Sequence, residues 1–436
     1  MMLIQKRFVV NEMFRFRDHF LVRCSIQLGL LAVISSVLGL RPHPLHVGRR
    51  HSVSLSARAQ NIDYEFIHNQ QRFTELCHKL LDTPTLALDI ECEFNRYRYG
   101  EHLCLLQLSD GKDIYIVDPT TVKNLDPLWT ILEAPDIEII CHDPSSDFRL
   151  LNKLYGICPR NFFDTELAAR LIGYPQSSLS YFLEENFGEK KQKKISKSNW
   201  FQRPLTNEML HYAALDVAYL HILKEMFAAE LEEKNRLDWH TEDCLALEEI
   251  RHEVNESPHL CIRGSQKLND RELHMLKHLY DVRDSVAQEI DKPAYYIMSN
   301  QILLELATMP PTKLHSWKTM PGVHPRVRKI HVARRFHQAV LDAQRSTPDP
   351  NAASSEDELH RKGTLTKNQK LKILDQIRAQ IQIDYPDVYS IILSATQANR
   401  IVKGLESFGN LTDWRRKIVL DTARKLDQDV TFLLHD

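Results

Sequence analysis

The stretch Thr85-Leu-Ala-Leu-Asp89-Ile-Glu91 constrains this chain more than any other. Small and apolar residues run into Asp89, one apolar residue follows, and then comes Glu91. Read as a buried strand, its side chains alternate between faces, so Asp89 and Glu91 point the same way. Neighbouring carboxylates repel, and burying either one alone costs several kcal/mol. A positive group is needed between them. Arg or Lys meets that need, and a divalent metal meets it better, because hard cations prefer carboxylate oxygens. The alternative is that one acid caps a turn at the strand end while the other is solvated.

Two later stretches bear on that choice. Ile137-Glu-Ile-Ile-Cys-His142 reads as a second buried strand, and Asp143-Pro-Ser-Ser-Asp147 ends it and opens a helix, with Asp147 near the helix start. Tyr212-Ala-Ala-Leu-Asp216 lies in a long helical pattern. Residues four apart share a helix face, and the same stripe carries Met209, Ala213, Leu220 and Leu223, so Tyr212 and Asp216 look inward. An acid on such a face needs a partner.

Asp-x-Glu on a strand, an Asp after a second strand and Tyr-x-x-x-Asp on a helix, in that order, resemble the signature of the DEDDy 3′-5′ exonucleases. Phe163-Asp-Thr-Glu-Leu-Ala-Ala-Arg170, Ser178-Leu-Ser-Tyr181 and Trp200-Phe-Gln-Arg-Pro-Leu205 are similar to ribonuclease D, and the likeness covers about residues 63 to 345. It implies an α/β domain, a ribonuclease H-like mixed sheet with flanking helices, followed by all-α HRDC-type helical modules. It implies that Asp89, Glu91, Asp147 and Asp216 hold two Mg²⁺ or Mn²⁺ ions, that Tyr212 positions the attacking water, and that nucleoside 5′-monophosphates leave the 3′ end of RNA. Precursors of tRNA and other structured small RNAs are the expected partners. RNA in preference to DNA follows from the family and not from the acids, since proofreading domains carry a closely similar set. An exonuclease acting on single-stranded DNA, or a catalytically weak nucleic-acid-binding scaffold, are the competing readings. The sequence departs from the family at one place. The family's Asp-Thr-Glu-Phe is here Asp89-Ile-Glu91-Cys-Glu93-Phe94, so Glu91 keeps the spacing while Glu93 precedes Phe, and Glu93 is the fallback ligand. Asp143 is a candidate supporting residue, Asp164 is expected to cap the next helix, and His142 to cap the strand end.

The rest of the chain is organised around this domain. With 436 residues, two or three domains are expected. A net charge of -2 gives no global attraction to nucleic acid, so any such binding rests on local basic patches. The eight cysteines are scattered, with no Cys-x-x-Cys pair, which suits reduced thiols and a cytoplasmic protein. Residues 1–60 are expected to lie outside the fold. Basic residues flank an uncharged run from Cys24 to Leu40, read as an upstream extension, a targeting peptide or a membrane anchor, with no stable membrane association expected. The exonuclease domain is placed at 61–240, with strands at 104–109 and 113–118 and a helix that starts at Thr206 and runs on toward Arg236. The loop Phe187–Trp200 carries Lys190, Lys191, Lys193 and Lys194, read either as a solvated face or as a phosphate contact. A helical connector is expected at 241–268. Residues 269–345 resemble an HRDC domain, closing on Met320-Pro-Gly-Val323, with Arg326, Arg328 and Lys329 as a basic end suited to nucleic acid. A linker at 346–363 precedes a helical module at 364–436, expected as a second HRDC-like unit. There is no Gly-rich phosphate loop, so ATP is not expected.

Overall fold

The computed structural model describes residues 62–249, 251–346 and 365–434; the N-terminal segment 1–60 and nearly all of the linker at 346–363 lie outside the described residues. Strands β1 (Glu65–Ile67), β2 (Thr85–Phe94), β3 (Glu101–Ser109), β4 (Ile114–Val117), β5 (Glu138–Cys141) and β6 (Phe162–Asp164) form one mixed sheet in the order β1-β4-β3-β2-β5-β6. β2 sits near the middle, antiparallel to β3 on one side and parallel to β5 on the other. Leu86, Ala87 and Leu88 are buried, as a strand covered on both faces requires. β2 runs past the expected end at Glu91, because its ladder with β3 continues to Phe94 opposite Glu101. Glu91 lies opposite Leu105 and Cys92 opposite Leu103, so Cys104 is an extra residue that bends β3 just beyond the acidic pair.

Helices α1 (Gln70–Leu80), α2 (Asp126–Leu132), α3 (Ser145–Tyr155) and α4 (Thr165–Ile172) flank the sheet, followed by α5 (Asn207–Ala218), α6 (Leu220–Glu233) and α7 (Leu237–Glu248). The single helix expected to run from Thr206 toward Arg236 is divided at Tyr219. Buried apolar residues recur at helical spacing across the break, Met209 and Ala213 in one half and Leu223 and Phe227 in the other, so the periodicity carries no trace of it, although the two halves pack into different clusters. Thr206 caps α5 as expected, its side chain accepting from the Met209 N–H. The connector is helical only to Glu248; 251–256 has no regular structure, and two single 3₁₀ turns follow.

Two helical modules complete the chain. The first comprises α8 (Asp270–Glu289), α9 (Asn300–Thr308) and α10 (Ile330–Arg345), closed around Trp317 and Phe336, whose rings stack at 5.1 Å. The tip between β2 and β3 docks on it. Tyr99 Oη donates to Asp284 at 2.6 Å, and Arg98 pairs with Asp291 at 2.5 Å. The second comprises α11 (Lys367–Asp384), α12 (Ala395–Val402) and α13 (Asp413–Lys425). The two share a construction. Arg283 in α8 donates to the Met298 carbonyl ahead of the capping Ser299, and Arg378 in α11 donates to the Leu393 carbonyl ahead of the capping Ser394. The second module packs on α7. Trp239 and Trp414 stack at 4.4 Å, and Asp243 accepts from Thr412, Trp414 and Arg415. Among the described residues, no helix is long and apolar enough to cross a membrane.

Candidate active site

Strand alternation brings Asp89 and Glu91 to the face of β2 that α5 covers. Asp216 enters from α5 itself, and ligand oxygens of the three carboxylates lie within 4.8 Å of one another. Crowded carboxylates of this kind resist ionisation. Burial pushes Asp89 up to about 6, with the Lys191 ammonium pulling the other way. Burial and then the Asp89 carboxylate hold Glu91 well above the usual range. Asp216 Oδ2 is buried with no hydrogen-bond partner. An all-oxygen donor set containing an orphaned carboxylate oxygen fits a hard divalent cation.

Asp147 does not join this trio, contrary to the expectation of four convergent acids. It occupies the first turn of α3 and lines, with Asp89, a small cleft that also includes His142 and Pro144. Burial and the nearby Asp89 carboxylate raise it well above the ordinary range, so it lies within electrostatic reach of the trio.

Glu93 takes a different role from Glu91. It is buried, and its Oε1 accepts from the backbone N–H groups of Arg96 and Tyr97, at 2.5 and 2.6 Å, capping the turn at the end of β2. The inserted pair of residues therefore supplies a turn cap, and Glu91 is the acid facing α5.

Tyr212 lies on the same face of α5 as Asp216. Burial, then Glu91 and Asp89, raise its hydroxyl above the ordinary tyrosine range, so it stays a neutral phenol able to hold a water and is a poor base. His142 is held near 4 by burial and then by Lys191. Thr165 Oγ1 donates to the Cys141 carbonyl at 2.8 Å, so it accepts from His142 Nδ1 at 2.9 Å. His142 thus braces the strand end, as expected.

Asp164 caps α4 by accepting from the Glu166 N–H, and the same Oδ1 accepts from the Asp143 N–H at 3.0 Å. Asp143 has φ +55°, a backbone state that non-glycine residues adopt at a cost, so this bond pins the turn leading to Asp147. Arg203, from the Trp-Phe-Gln-Arg-Pro-Leu stretch, bridges Asp118 at 2.6 Å and the Cys104 carbonyl at 3.0 Å. That bridge anchors the loop ahead of α5.

Two features escaped the sequence reading. Gln107 stands directly opposite Asp89 in β3, fully buried, with neither amide atom partnered. A polar residue inside Cys104-Leu-Leu-Gln-Leu was the available signal. The second is the enclosure of Lys191, which belongs to the lysine run read either as a solvated face or as a phosphate contact. Its side chain is only 8% exposed, its Nζ pairs with Asp216 Oδ1, and the ammonium sits 3.9 Å from the centre of the Tyr212 ring. Burial lowers it to about 8, against the pull of Asp89 and Glu91. Lys190, Lys193 and Lys194 are exposed, as are Arg326, Arg328 and Lys329.

The chain is similar to known proteins over most of the described residues. A family model described as 3′-5′ exonuclease matches residues 64–232, and one described as HRDC domain matches 272–340. The chain is 29% identical to ribonuclease D of Xanthomonas oryzae over 353 residues, covering 79% of this chain and 94% of the relative. It is 30% identical to ribonuclease D of Escherichia coli over 256 residues, covering 58% of this chain and 68% of the relative. The crystal structure of Escherichia coli RNase D, described as an exoribonuclease involved in structured RNA processing, superposes with a TM-score of 0.66 at 25% identity, covering 83% of this chain and 99% of that one.

Proposed function

The chain belongs to the ribonuclease D family of 3′-5′ exoribonucleases, and from that premise we propose that Asp89, Glu91, Asp147, Asp216 and Tyr212 are its catalytic set and that it trims the 3′ ends of tRNA precursors and other structured small RNAs. The observation that carries this reading is the convergence of three carboxylates from β2 and α5 beside a tyrosine on the same helix face.

Asp89, Glu91 and Asp216 are the residues that would hold the first divalent ion, and Asp147, across the small cleft from Asp89, would contribute to a second. When bound, a pair of Mg²⁺ or Mn²⁺ ions supplies Lewis acidity at the scissile phosphate and acidifies the attacking water. The protein's own share is placement. β2 and α5 are both packed into the core, so Asp89, Glu91 and Asp216 are held on rigid elements. Tyr212 Oη, kept protonated, accepts from or donates to the water and fixes its approach to the terminal phosphodiester. Exposed lysines at 190, 193 and 194 stand ahead of the α5 N-terminus, where a 3′ strand carries its phosphates. The basic end of the first helical module, Arg326, Arg328 and Lys329, offers a second contact for a folded RNA. The shared construction of the two modules supports reading the second as HRDC-like as well.

The test is degradation of a 5′-labelled, 3′-extended tRNA precursor beside single-stranded DNA, in Mg²⁺ and in EDTA. Stepwise shortening of the RNA from its 3′ end, abolished by EDTA, is expected. DNA shortened while the RNA stays intact would overturn the substrate assignment.

A further inference from the structure

We propose that Lys191 is a tethered counter-ion that fills the cation position among Asp89, Glu91 and Asp216 in the metal-free protein and is displaced when a divalent ion binds. This rests on reading that trio as the metal site.

Three observations carry it. The ammonium is already inside, paired with Asp216, lying against the Tyr212 ring and flanked electrostatically by Asp89 and Glu91. The other lysines of the same loop point outward, so the run's composition does not account for this one being enclosed. Finally, Lys191 also lines a cleft of about 260 Å³ together with Tyr212, Ile195, Glu208, His211 and Leu215. A displaced side chain therefore has an adjacent space to enter, with the Glu208 carboxylate on its wall. The loop that carries Lys191 leaves the preceding helical turn through Gly188, whose φ is +74°, and nothing stands within 4 Å of where a β-carbon would lie. It is fixed again at Ile195 and Trp200, both buried in one cluster.

Charge decides the direction of the exchange. One ammonium among three carboxylates leaves negative charge uncompensated, while a divalent ion compensates more of it. An ammonium and a divalent cation cannot share the trio without strong repulsion. The lysine thus keeps the acids together while the ion is absent and yields the position when it arrives.

Calorimetric titration of the full, EDTA-stripped chain with Mn²⁺ tests this. Lys191→Met is expected to bind the ion on the order of tenfold more tightly than the wild type, because the competing cation is gone. Equal or weaker binding would overturn the proposal. Asp89→Asn is run alongside. If it binds Mn²⁺ as the wild type does, the trio is not the metal site, and the failure belongs to that reading. A second measurement needs no variant. Acetic anhydride labelling of the wild type, read by mass spectrometry, uses Lys190 as the reference because its side chain is 78% exposed. Labelling at Lys191 relative to Lys190 should rise several-fold when Mn²⁺ is added. No change, or a fall, would show that Lys191 stays in place and overturn the exchange.

Discussion

Asp89, Glu91 and Asp216 come from two elements that have little in common except the face they turn toward each other, and Tyr212 is a neutral polar group on the same helix face as Asp216. Replacing Tyr212 by Phe removes only the hydroxyl proposed to hold the water. A fall in kcat of about 10²-fold is expected, with KM nearly unchanged, in steady-state digestion of RNA. Buried histidines give a second expectation. His240 donates from Nε2 to the Asp164 carbonyl at 2.9 Å, packs on the Phe163 ring, and is held near 4 by burial. Its folded value lies below the unfolded one, about 6.5, so its contribution to stability is fully present above the unfolded value and is lost as pH falls toward the folded one. Between pH 7.5 and 5 this group alone should cost about 2 kcal/mol. Urea unfolding at the two pH values should show that loss, and His240→Gln should flatten it. The acids were legible because a period of two on a strand and of four on a helix fixes which side chains share a face. Lys191 was not, since each lysine in a run looks alike and only the path of the loop selects the one that turns inward. Glu93 was read as the fallback ligand, and its capture by two backbone N–H groups depends on a turn that the spacing does not reveal.

Turns and docking contacts place the elements that carry these residues. The Asp143 turn is held by Asp164 from α4, and α7 in turn holds Asp164 through His240. The second helical module closes the far side of α7 through Trp414, which is 6% exposed and stacked on Trp239. Trp414→Ala should destabilise the chain by about 3 kcal/mol. It should also open residues 365–434 to limited proteolysis before the catalytic domain is cut, read by unfolding and by fragment mass. At this scale the strands other than β6, the caps at Thr206 and Asp164, and the helical modules were visible in the sequence. The break at Tyr219 was not, because apolar residues recur at helical spacing on both sides of it and hide the interruption in the sequence. The docking of the second module on the catalytic domain was also invisible, since the pairing of Asp243 with Arg415 joins residues far apart in the chain.

For the whole molecule, the net charge of -2 means that RNA is held by local patches and not by the general field. Replacing Arg326, Arg328 and Lys329 together by Ala should weaken binding of a structured RNA and reduce the slope of log affinity against log salt by about 2, at ~0.7 for each phosphate that is no longer neutralised. Cleavage of a short single-stranded substrate should be unchanged, because these residues lie outside the catalytic set. Which acids face α5 decides whether the trio is the metal site. The most direct test compares Glu91→Gln with Glu93→Gln for Mg²⁺-dependent release of nucleoside 5′-monophosphates from RNA. Loss of a metal carboxylate should lower kcat by at least about 10³-fold in the first. In the second, the Gln carbonyl still accepts the two turn N–H groups, so the rate should remain within about tenfold of the wild type. Loss of activity in Glu93→Gln with Glu91→Gln left active would contradict the site described here.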